Sequence, residues 1–379
     1  MDFELSKEHL MARGLFRDFA RREVLPLARE LDENERFPKE NIEKLATVGM
    51  FGIPYAKKYG GQGAGYLTYA LAIEEISAVC ASTGIIISAH TSLCGGVLNN
   101  SANEQQKLKY LVPLSKGEKL GAFALTEANA GSDVGGVETK AVLEGDEYIL
   151  NGNKIFITNA SVADIYAIFA MTDKEKGTRG LSCFIVEKGT PGFSFGKPEK
   201  TMGIKASVTC ELIFENVKIP KENLVGKEGQ GFSIAMKAID AGRIGVGAQA
   251  LGIAQGALNE SVKYVKERKQ FGKTLASFQN TQFTIADMEV RTQAARCLVY
   301  RAACAYDRGE PYSILAAQAK LFASETASWV ANKAVQLHGG YGYMRDYNVE
   351  RMVRDAKTTE IYEGTSEIMR MVISGALLR

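Results

Sequence analysis

The hydrophobic pattern of the chain changes twice, and this double change limits its fold more than any other feature. In residues 1–118 and 227–379 the apolar residues recur at helical spacing, as Leu15 and Phe19 do. Residues 119–226 instead hold short runs of β-branched and aromatic residues that no helix-length segment interrupts. The pattern predicts an α+β chain of three domains: N-terminal helical, middle antiparallel β-barrel and C-terminal four-helix bundle.

The sequence also indicates where single elements begin and end. Asn151-Gly152 separates two β-rich runs, Tyr148–Leu150 and Lys154–Thr158, and an Asn-Gly pair in such a position predicts a hairpin turn. The basic segment Arg268–Lys273 is expected to close a long helix, with Gly272 as its stop. The apolar stretches of the last domain predict helices over 232–251, 254–268, 281–308 and 312–337.

Charge, cysteine and histidine content exclude several classes of protein. The chain has 46 Lys and Arg against 44 Asp and Glu, a net charge of +2, which argues against nucleic-acid binding and against a polybasic membrane-surface protein. Its six cysteines form no CxxC pair and are expected to be reduced, mostly buried thiols. His9, His90 and His338 lie far apart in the sequence, so no metal site is expected.

The uncharged stretch 76–103 could be mistaken for a membrane span. It contains no Asp, Glu, Lys or Arg, but Ser, Thr, His, Asn and Gly interrupt it, so the continuous apolar run of a span is missing. We expect a helix buried on most sides. The N-terminus, Met1-Asp2-Phe3-Glu4, has the pattern of neither a signal peptide nor a transit peptide. The sequence predicts a soluble, cytoplasmic protein without integral membrane association.

Two segments of the middle domain carry candidate ligand-binding residues. Phe123–Asp133 runs from a strand into small residues and offers backbone N–H groups and two hydroxyls to a phosphate or a polar ring edge. Lys154–Ala160 is an apolar strand in which Phe156 can stack on a planar ligand and Thr158 can act as a donor. The alternatives are a tight loop and a core strand, and the residues alone leave them open.

Two segments of the last domain are further candidates. Arg268 at the start of 268–273 can meet a phosphate, but basic residues near a helix end also suit the helix dipole. Gln336–Tyr343 is rich in glycine, which permits close backbone approach, whereas a lone His338 is more typical of a core histidine.

The fifth segment, Ile361–Glu367, predicts a joint between two helices. Gly364 ends the first helix, and Thr365 or Ser366 can cap the second. Glu363 then sits among apolar neighbours, where desolvation would raise its proton affinity if it faces a cavity. Taken alone, a solvated glutamate at the joint is the simpler interpretation.

Together and in this order, the five segments resemble the flavin-dependent acyl-CoA dehydrogenase family, most closely its short-chain, butyryl-CoA type. The resemblance covers essentially the whole chain, including the helical–β–helical order. Its marks are Leu125-Thr126-Glu127 with Gly131-Ser132-Asp133, Phe156-Ile157-Thr158-Asn159, Arg268 with Gln270-Phe271-Gly272, Gln336-Leu337-His338-Gly339-Gly340 and Tyr362-Glu363-Gly364-Thr365-Ser366. The family supplies one ligand, FAD, that explains all five segments.

The resemblance implies how FAD is bound. Thr126 would bond the pyrimidine edge of the flavin, and Thr158 would lie near its N5 atom. Arg268 and Gln279 of one subunit, together with Gln336–Gly340, would hold the diphosphate and adenosine end of a neighbour's cofactor. This shared site implies a homo-oligomer, in this family a tetramer. The implied FAD-binding residues are Phe123, Leu125, Thr126, Gly131, Ser132, Phe156, Ile157, Thr158, Arg268, Gln270, Phe271, Gln279, Gln336, Gly339, Gly340, Thr365 and Glu367.

The resemblance also makes Glu363 the catalytic base, which removes the α-proton of an acyl-CoA thioester while the β-hydride passes to the flavin. Some relatives, such as isovaleryl-CoA dehydrogenases, carry the base on the helix that here holds Gly242, which leaves Glu363 as the candidate base. Residues 76–103 would help to shape the acyl slot. The implied substrate-binding residues are Ser132, Asp240, Arg243, Tyr362 and Gly364.

The implied function is FAD-dependent dehydrogenation of butyryl-CoA to crotonyl-CoA, with electrons exchanged with an electron-transferring flavoprotein. Three alternatives remain: crotonyl-CoA reduction in a flavin-bifurcating complex, a preference for short branched acyl-CoA, and a non-catalytic assembly protein on the same fold. The intact Glu363 and flavin segments argue against the last alternative.

Overall fold

The structure of the protein, a computed structural model, describes residues 4–378. Its N-terminal part is helical, with α1 Lys7–Phe19, α2 Leu25–Glu33, α3 Lys39–Thr47, α4 Gly65–Ser77, α5 Ala81–Ser88, α6 Gly96–Ser101, α7 Glu104–Gln106 and α8 Val112–Ser115. Helices α4 and α5 are buried along almost their whole length. Apolar or small residues occupy every face of α5, whereas α4 also buries Glu74 and Glu75, which pair with Arg13 and Arg296.

Helix α5 continues into α6 through the wider turns of Ala89–Gly95, so Ala81–Ser101 is one helical segment. Among residues 4–378 this is the one helix long and apolar enough to cross a membrane, and all of that window is buried inside the protein. His90 at its middle is buried, with Nε2 3.1 Å from the Leu114 carbonyl oxygen. The prediction of a buried helix in this region is confirmed.

The middle part forms one sheet of eight strands within the described residues. The strands are β1 Gly121–Ala124, β2 Lys140–Glu144, β3 Glu147–Thr158, β4 Ile165–Met171, β5 Leu181–Glu187, β6 Phe193–Phe195, β7 Thr209–Pro220 and β8 Leu224–Val225. Their order is β6-β7-β3-β2-β4-β5-β8, with β1 also paired to β4. Most pairs are antiparallel as expected, but β1 and β2 each pair with β4 in parallel. Periodicity cannot show this, because it carries no information on which strand becomes a neighbour.

The predicted turn at Asn151-Gly152 is wrong. Both residues lie inside β3, and the turn between β2 and β3 is at Gly145-Asp146 instead. Gly152 has φ +138°, and the pairing of β3 with β7 shifts register between Leu150 and Gly152. Two residues of β7, Glu215 and Asn216, stand opposite the single Asn151 of β3, so the bulge lies on the partner strand, where Asn216 has φ +51°.

The C-terminal part returns to helices, with α9 Gly231–Glu267, α10 Gln279–Asp307, α11 Ser313–His338, α12 Asn348–Thr359 and α13 Ser366–Leu377. Helix α9 packs against α10, α11 and α12 and also against α4. The largest apolar core includes residues of α4, α9, α10, α11 and α12, so the N-terminal and C-terminal helical parts share one core. All six cysteines are free, and Cys80, Cys94, Cys183 and Cys210 are buried as expected.

Two element boundaries differ from the prediction. The stretches 232–251 and 254–268 form the single helix α9, because Gly252 serves close packing and not a helix end: a Cβ there would overlap with the Glu74 carbonyl oxygen. The helix ends at Glu267, and the basic segment that follows is a hairpin of β9 Lys269–Gln270 and β10 Lys273–Thr274. Its turn residues Phe271 and Gly272 have φ +53° and +78°, which matches a two-residue hairpin turn.

Candidate active site

The joint between α12 and α13 holds Glu363 in an unusual backbone conformation. Helix α13 begins at Ser366 and is capped by the Thr365 hydroxyl, as predicted. Before the cap, Glu363 has φ +53° and Gly364 has φ +99°, so two successive residues lie in or near the left-handed region. Such a conformation costs a non-glycine residue about 1–3 kcal/mol, so the surrounding packing must hold it in place.

The Glu363 carboxylate lies against α9, where Gly242 leaves room for it. A Cβ atom on Gly242 would overlap with Oε2 of Glu363 and would lie 2.7 Å from Cδ2 of Leu93. Oε2 is fully buried, and no hydrogen-bond partner for it exists within residues 4–378. A buried oxygen without a partner is costly to fold, and it is free to accept a proton from a bound ligand.

The proton affinity of this carboxylate suits acid–base chemistry near neutral pH. Burial raises the pKa of Glu363 from 4.5 to about 7, although the positive charges of Lys320 and Arg243 oppose the rise. A general base is most effective when its pKa lies close to the operating pH. The solvated glutamate that the sequence alone favours is therefore replaced by a half-buried residue with a desolvated carboxylate.

Two buried cations flank the joint. Nζ of Lys320 on α11 donates to the Gly364 carbonyl oxygen at 2.6 Å. Nε of Arg243 on α9 donates a long bond, 3.4 Å, to the Glu363 carbonyl oxygen. Arg243 also pairs with Asp240, one helical turn earlier, with Nη1 2.6 Å from Oδ1. Both carbonyl oxygens of the strained turn thus receive a charged donor.

The residues that the resemblance assigned to the substrate therefore meet at one place, except Ser132. Asp240 and Arg243 lie beside the Glu363–Gly364 turn, and the Tyr362 hydroxyl donates to the Gln249 side chain on α9. Lys320 and Gln249 also belong to this site and are not predicted from the sequence. Lys320 is the one charged residue of 313–324 and Gln249 the one polar side chain of 244–254; this is the signal that could have found them, because such a group needs a buried partner.

A second group of predicted residues meets where β1 ends beside β3. The Ile155 backbone N–H donates to the Thr126 carbonyl oxygen at 2.9 Å, and Nζ of Lys154 donates to the Leu125 carbonyl oxygen at 3.0 Å. The same Nζ lies 2.7 Å from Oε1 of Glu127, a buried ion pair that locks the two segments together. The structure thus joins Leu125 and Thr126 to the strand that carries Phe156.

Phe156 itself is exposed and strained. Its side chain is 63% exposed and its φ is +57°, at a point where the pairing of β3 with β7 shifts register. A bulky residue with positive φ is a genuine outlier, and folding gains nothing from an exposed ring. Beyond it, the Asn159 amide donates to the Ile86 carbonyl oxygen at 3.2 Å, so β3 ends against the helical segment that also contributes Leu93 near Glu363.

A third group lines a cleft of about 470 Å³ between the end of α9 and the end of α11. Arg268 lies over the Tyr341 ring, with Cζ 5.4 Å from the ring centroid. Tyr264 stacks on the buried His338, with ring centroids 4.1 Å apart. The predicted residues that line this cleft are Arg268, Gln270, Gln336, Gly339 and Gly340. A guanidinium, two amides and open glycine backbone form a donor set that suits a phosphate.

The remaining predicted residues are scattered. Phe271 is 93% exposed at the hairpin tip, and Gln279 is exposed at the start of α10; neither lines the cleft. Gly131 and Ser132 lie in an exposed loop, and Glu367 is exposed in the first turn of α13. Phe123 packs on Phe169 within the protein. The side chains of Leu125 and Ile157 are buried, so they can offer a ligand only their backbone, and Thr158 is half-buried at the end of β3.

Comparison with known proteins gives the same family along the whole chain. The N-terminal, middle and C-terminal domains of acyl-CoA dehydrogenases match residues 6–118, 122–217 and 229–378. The short-chain specific acyl-CoA dehydrogenase of Clostridium acetobutylicum is 58% identical over 379 residues and covers all of both chains. The acryloyl-CoA reductase (NADH) of Anaerotignum propionicum is 51% identical over all of this chain and 96% of its own.

Solved structures agree with this assignment. Butyryl-CoA dehydrogenase from Megasphaera elsdenii superimposes with a TM-score of 0.99 and 50% identity, over all of both chains. A chain solved in work on the electron transferring flavoprotein of Acidaminococcus fermentans and flavin-based electron bifurcation also gives 0.99, with 52% identity over all of both chains. The strained glutamate joint, the exposed Phe156 and the cleft around Arg268 thus lie in a chain that belongs to the acyl-CoA dehydrogenase family of FAD-dependent oxidoreductases.

Proposed function

We propose that this protein is a short-chain acyl-CoA dehydrogenase that converts butyryl-CoA to crotonyl-CoA. The observation that carries the proposal is the buried Oε2 of Glu363, which has no partner in the described chain and lies in the space left by Gly242. The pKa of about 7 makes this carboxylate a base at neutral pH. The 58% identical relative, named as short-chain specific, supports the choice of substrate class.

Glu363 removes the α-proton of the thioester. That proton is a very weak acid, so the enolate charge that develops on the thioester oxygen must be stabilised, for which the Glu363 backbone N–H is a candidate donor. The proton goes to the carboxylate, and the electron pair of the β C–H bond leaves as hydride. FAD, when bound, supplies the two-electron acceptor for that hydride. The carbonyl oxygens of Glu363 and Gly364 accept hydrogen bonds from Arg243 and Lys320.

The residues present fit FAD. Phe156 offers an exposed ring in a conformation that the fold alone does not favour, which suits contact with a flavin. Gly131, Gly339 and Gly340 have no atom within 4 Å of the position that a Cβ would take, so a ligand can approach their backbone closely. Arg268 adds a positive charge for the diphosphate. We propose the full set of FAD-binding and substrate-binding residues named from the sequence, with Arg268, Gln279 and Gln336–Gly340 holding the cofactor of a neighbouring subunit.

We further propose a cytoplasmic homotetramer with domains 1–118, 119–226 and 227–379. Gln279 and Phe271 are exposed and lie outside the Arg268 cleft of their own chain, which supports a contribution to a neighbour's site. Reduced flavin must be reoxidised, and the related chain from the Acidaminococcus fermentans work supports an electron-transferring flavoprotein as the partner.

The first test is an anaerobic titration of the FAD-loaded protein with butyryl-CoA, followed by the visible flavin band. We expect rapid bleaching in the wild type and none in Glu363→Gln. Isobutyryl-CoA and isovaleryl-CoA, titrated in parallel, test the preference for branched chains. A protein whose flavin no acyl-CoA can bleach would refute the proposal.

The pH dependence of turnover gives a second test. Because the pKa of Glu363 is raised to about 7, the carboxylate is protonated below that pH and cannot act as a base. We expect kcat at saturating butyryl-CoA to be constant above about pH 8 and to fall about tenfold per pH unit well below 7. A profile whose acid limb lies near the ordinary glutamate pKa of 4.5 would contradict the desolvated carboxylate.

The cleft is tested by Arg268→Ala. Removing the guanidinium takes away the positive charge that faces the cleft, so we expect a lower flavin content per subunit and a weaker tetramer. Flavin absorbance per protein and analytical ultracentrifugation measure both. Lys266→Ala, an exposed residue two positions earlier on α9, is the control and should leave both unchanged. A fully flavinylated Arg268→Ala tetramer would disprove the assignment.

The reverse reaction is a second candidate function. Two relatives favour it: the acryloyl-CoA reductase of Anaerotignum propionicum and the chain from the work on electron bifurcation. Glu363 would then return a proton to the α-carbon, so the same site serves both directions. Reconstitution with the cognate electron-transferring flavoprotein and NADH decides between them. Crotonyl-CoA reduction coupled to reduction of a low-potential acceptor would favour the reductase; butyryl-CoA oxidation alone would favour the dehydrogenase.

A further inference from the structure

Lys320 is a charged residue in a place that folding alone does not explain. It lies on α11 within the stretch Ala316–Ala323, and its side chain is completely buried. A buried ammonium pays a large desolvation penalty, and an apolar residue of similar volume is usually at least as stable. Core packing alone therefore does not explain why a lysine occupies this position.

Within residues 4–378, the one hydrogen bond of its ammonium goes to the Glu363–Gly364 turn. Nζ donates to the Gly364 carbonyl oxygen at 2.6 Å, a short, charge-assisted bond. Gly364 follows Glu363 directly, and both have positive φ. A bond from helix α11 to this carbonyl restrains ψ of Gly364 and so limits movement of the backbone directly after Glu363.

We propose that Lys320 is a positioning residue for the proton transfer, which holds the Glu363–Gly364 turn so that the carboxylate stays against Gly242. The proposal rests on Glu363 being the base. Lys320 touches neither substrate nor cofactor in this scheme and acts only through the turn. Its positive charge also opposes the rise in the Glu363 pKa that burial causes, and it does so more strongly than the charge of Arg243.

Several charged or titratable groups face this pair. On α9 they are Arg243 and its partner Asp240, and on α4 the buried Tyr69 hydroxyl. Around the joint they are Glu360, Tyr362 and Glu367. Burial lowers the pKa of Lys320 to about 8. Among the negative charges that oppose this fall, Glu363 has the largest effect. Loss of the Lys320 charge should therefore raise the pKa of Glu363 further, so that a smaller fraction of the Glu363 carboxylate is ionised at pH 7.

Three substitutions separate the bond from the charge. Lys320→Met removes both and suits an apolar site, Lys320→Gln keeps a donor without charge, and Lys320→Arg keeps the charge. We expect the acid limb of the kcat profile to move up by about one pH unit or more in the Met and Gln variants and to stay near wild type in Arg. At pH 7, kcat should fall at least about tenfold in Met and less in Gln. Lys333→Met on the same helix is the control.

A readout without turnover keeps this inference separate from the proposed function. Difference infrared titration follows the carboxylic acid C=O band of Glu363, identified by its loss in Glu363→Gln. We expect the midpoint of this band to rise in Lys320→Met and Lys320→Gln even if no acyl-CoA is oxidised. If the Met variant does not fold, the Gln variant gives the same test. An unchanged midpoint together with an unchanged kcat profile would overturn the role of Lys320 and leave Glu363 as base untouched.

Discussion

Glu363→Gln should lower kcat for butyryl-CoA by about 10²–10⁴-fold, the usual contribution of a positioned general base. The amide has nearly the shape of the acid but cannot take up the α-proton. Oε2 has no hydrogen-bond partner in residues 4–378, so the substitution breaks no bond of that oxygen. We therefore expect FAD content and acyl-CoA binding to stay close to wild type, measured by flavin absorbance and by equilibrium titration.

The control for this prediction is Glu360→Gln in the same joint. The Glu360 carboxylate accepts a bond from Ser328 and pairs with Lys357 at 2.8 Å, so it is satisfied and is not aimed at a ligand. Its loss should change kcat by no more than a few fold. Turnover within tenfold of wild type in Glu363→Gln would remove Glu363 from the mechanism.

Thermal unfolding of the same variant has an expected sign. The folded state holds the Glu363 pKa at about 7 against an ordinary value of 4.5, so the folded protein binds the proton more tightly than the unfolded chain. Protonated Glu363 therefore contributes its full amount to the free energy of unfolding below about pH 4.5, and this contribution is lost as the pH rises through about 7. Glutamine does not ionise. The Tm of Glu363→Gln, relative to wild type, should therefore be higher at pH 8 than at pH 5.

Gly242→Ala should be the most damaging single-methyl change near the site. Alanine is the better helix former by about 0.5–1 kcal/mol, but its Cβ would overlap with the Glu363 carboxylate and would press on Leu93. Overpacking costs about 1–3 kcal/mol, so the clash outweighs the propensity. Because the carboxylate must move, kcat should fall by about 10²-fold, as a shift of about 1 Å in a reacting group can cause.

Gly375→Ala provides the matched control, because Gly375 is also helical and no atom lies within 4 Å of the position that an alanine Cβ would take. It should raise Tm slightly and leave kcat unchanged. Both variants are compared by calorimetry and by steady-state kinetics with butyryl-CoA. A Gly242→Ala enzyme with wild-type kcat would mean that the carboxylate does not work from the position seen here.

Local sequence predicted the elements well wherever packing and propensity agree. The long apolar runs became α10 and α11 within two residues of the expected ends. The failures share one cause. Gly152 is predicted in a turn and Gly272 as a helix stop, yet Gly152 lies inside a strand and Gly272 at the tip of a hairpin. The predicted break between 251 and 254 lies inside α9, at Gly252. Glycine marks a place where the backbone needs freedom or closeness, and only the tertiary contacts decide which.

The sequence by itself determined the family, because five short segments in a fixed order carry more information than their local structure does. It determined Glu363 as a candidate base in the same way. Only the tertiary structure decided that its carboxylate is desolvated, since the walls of that space come from α5–α6, α9 and α11, which lie far apart in the chain. Lys320 and Gly242 became informative for the same reason. A pKa depends on what surrounds a group, and the sequence around Glu363 contains none of those neighbours.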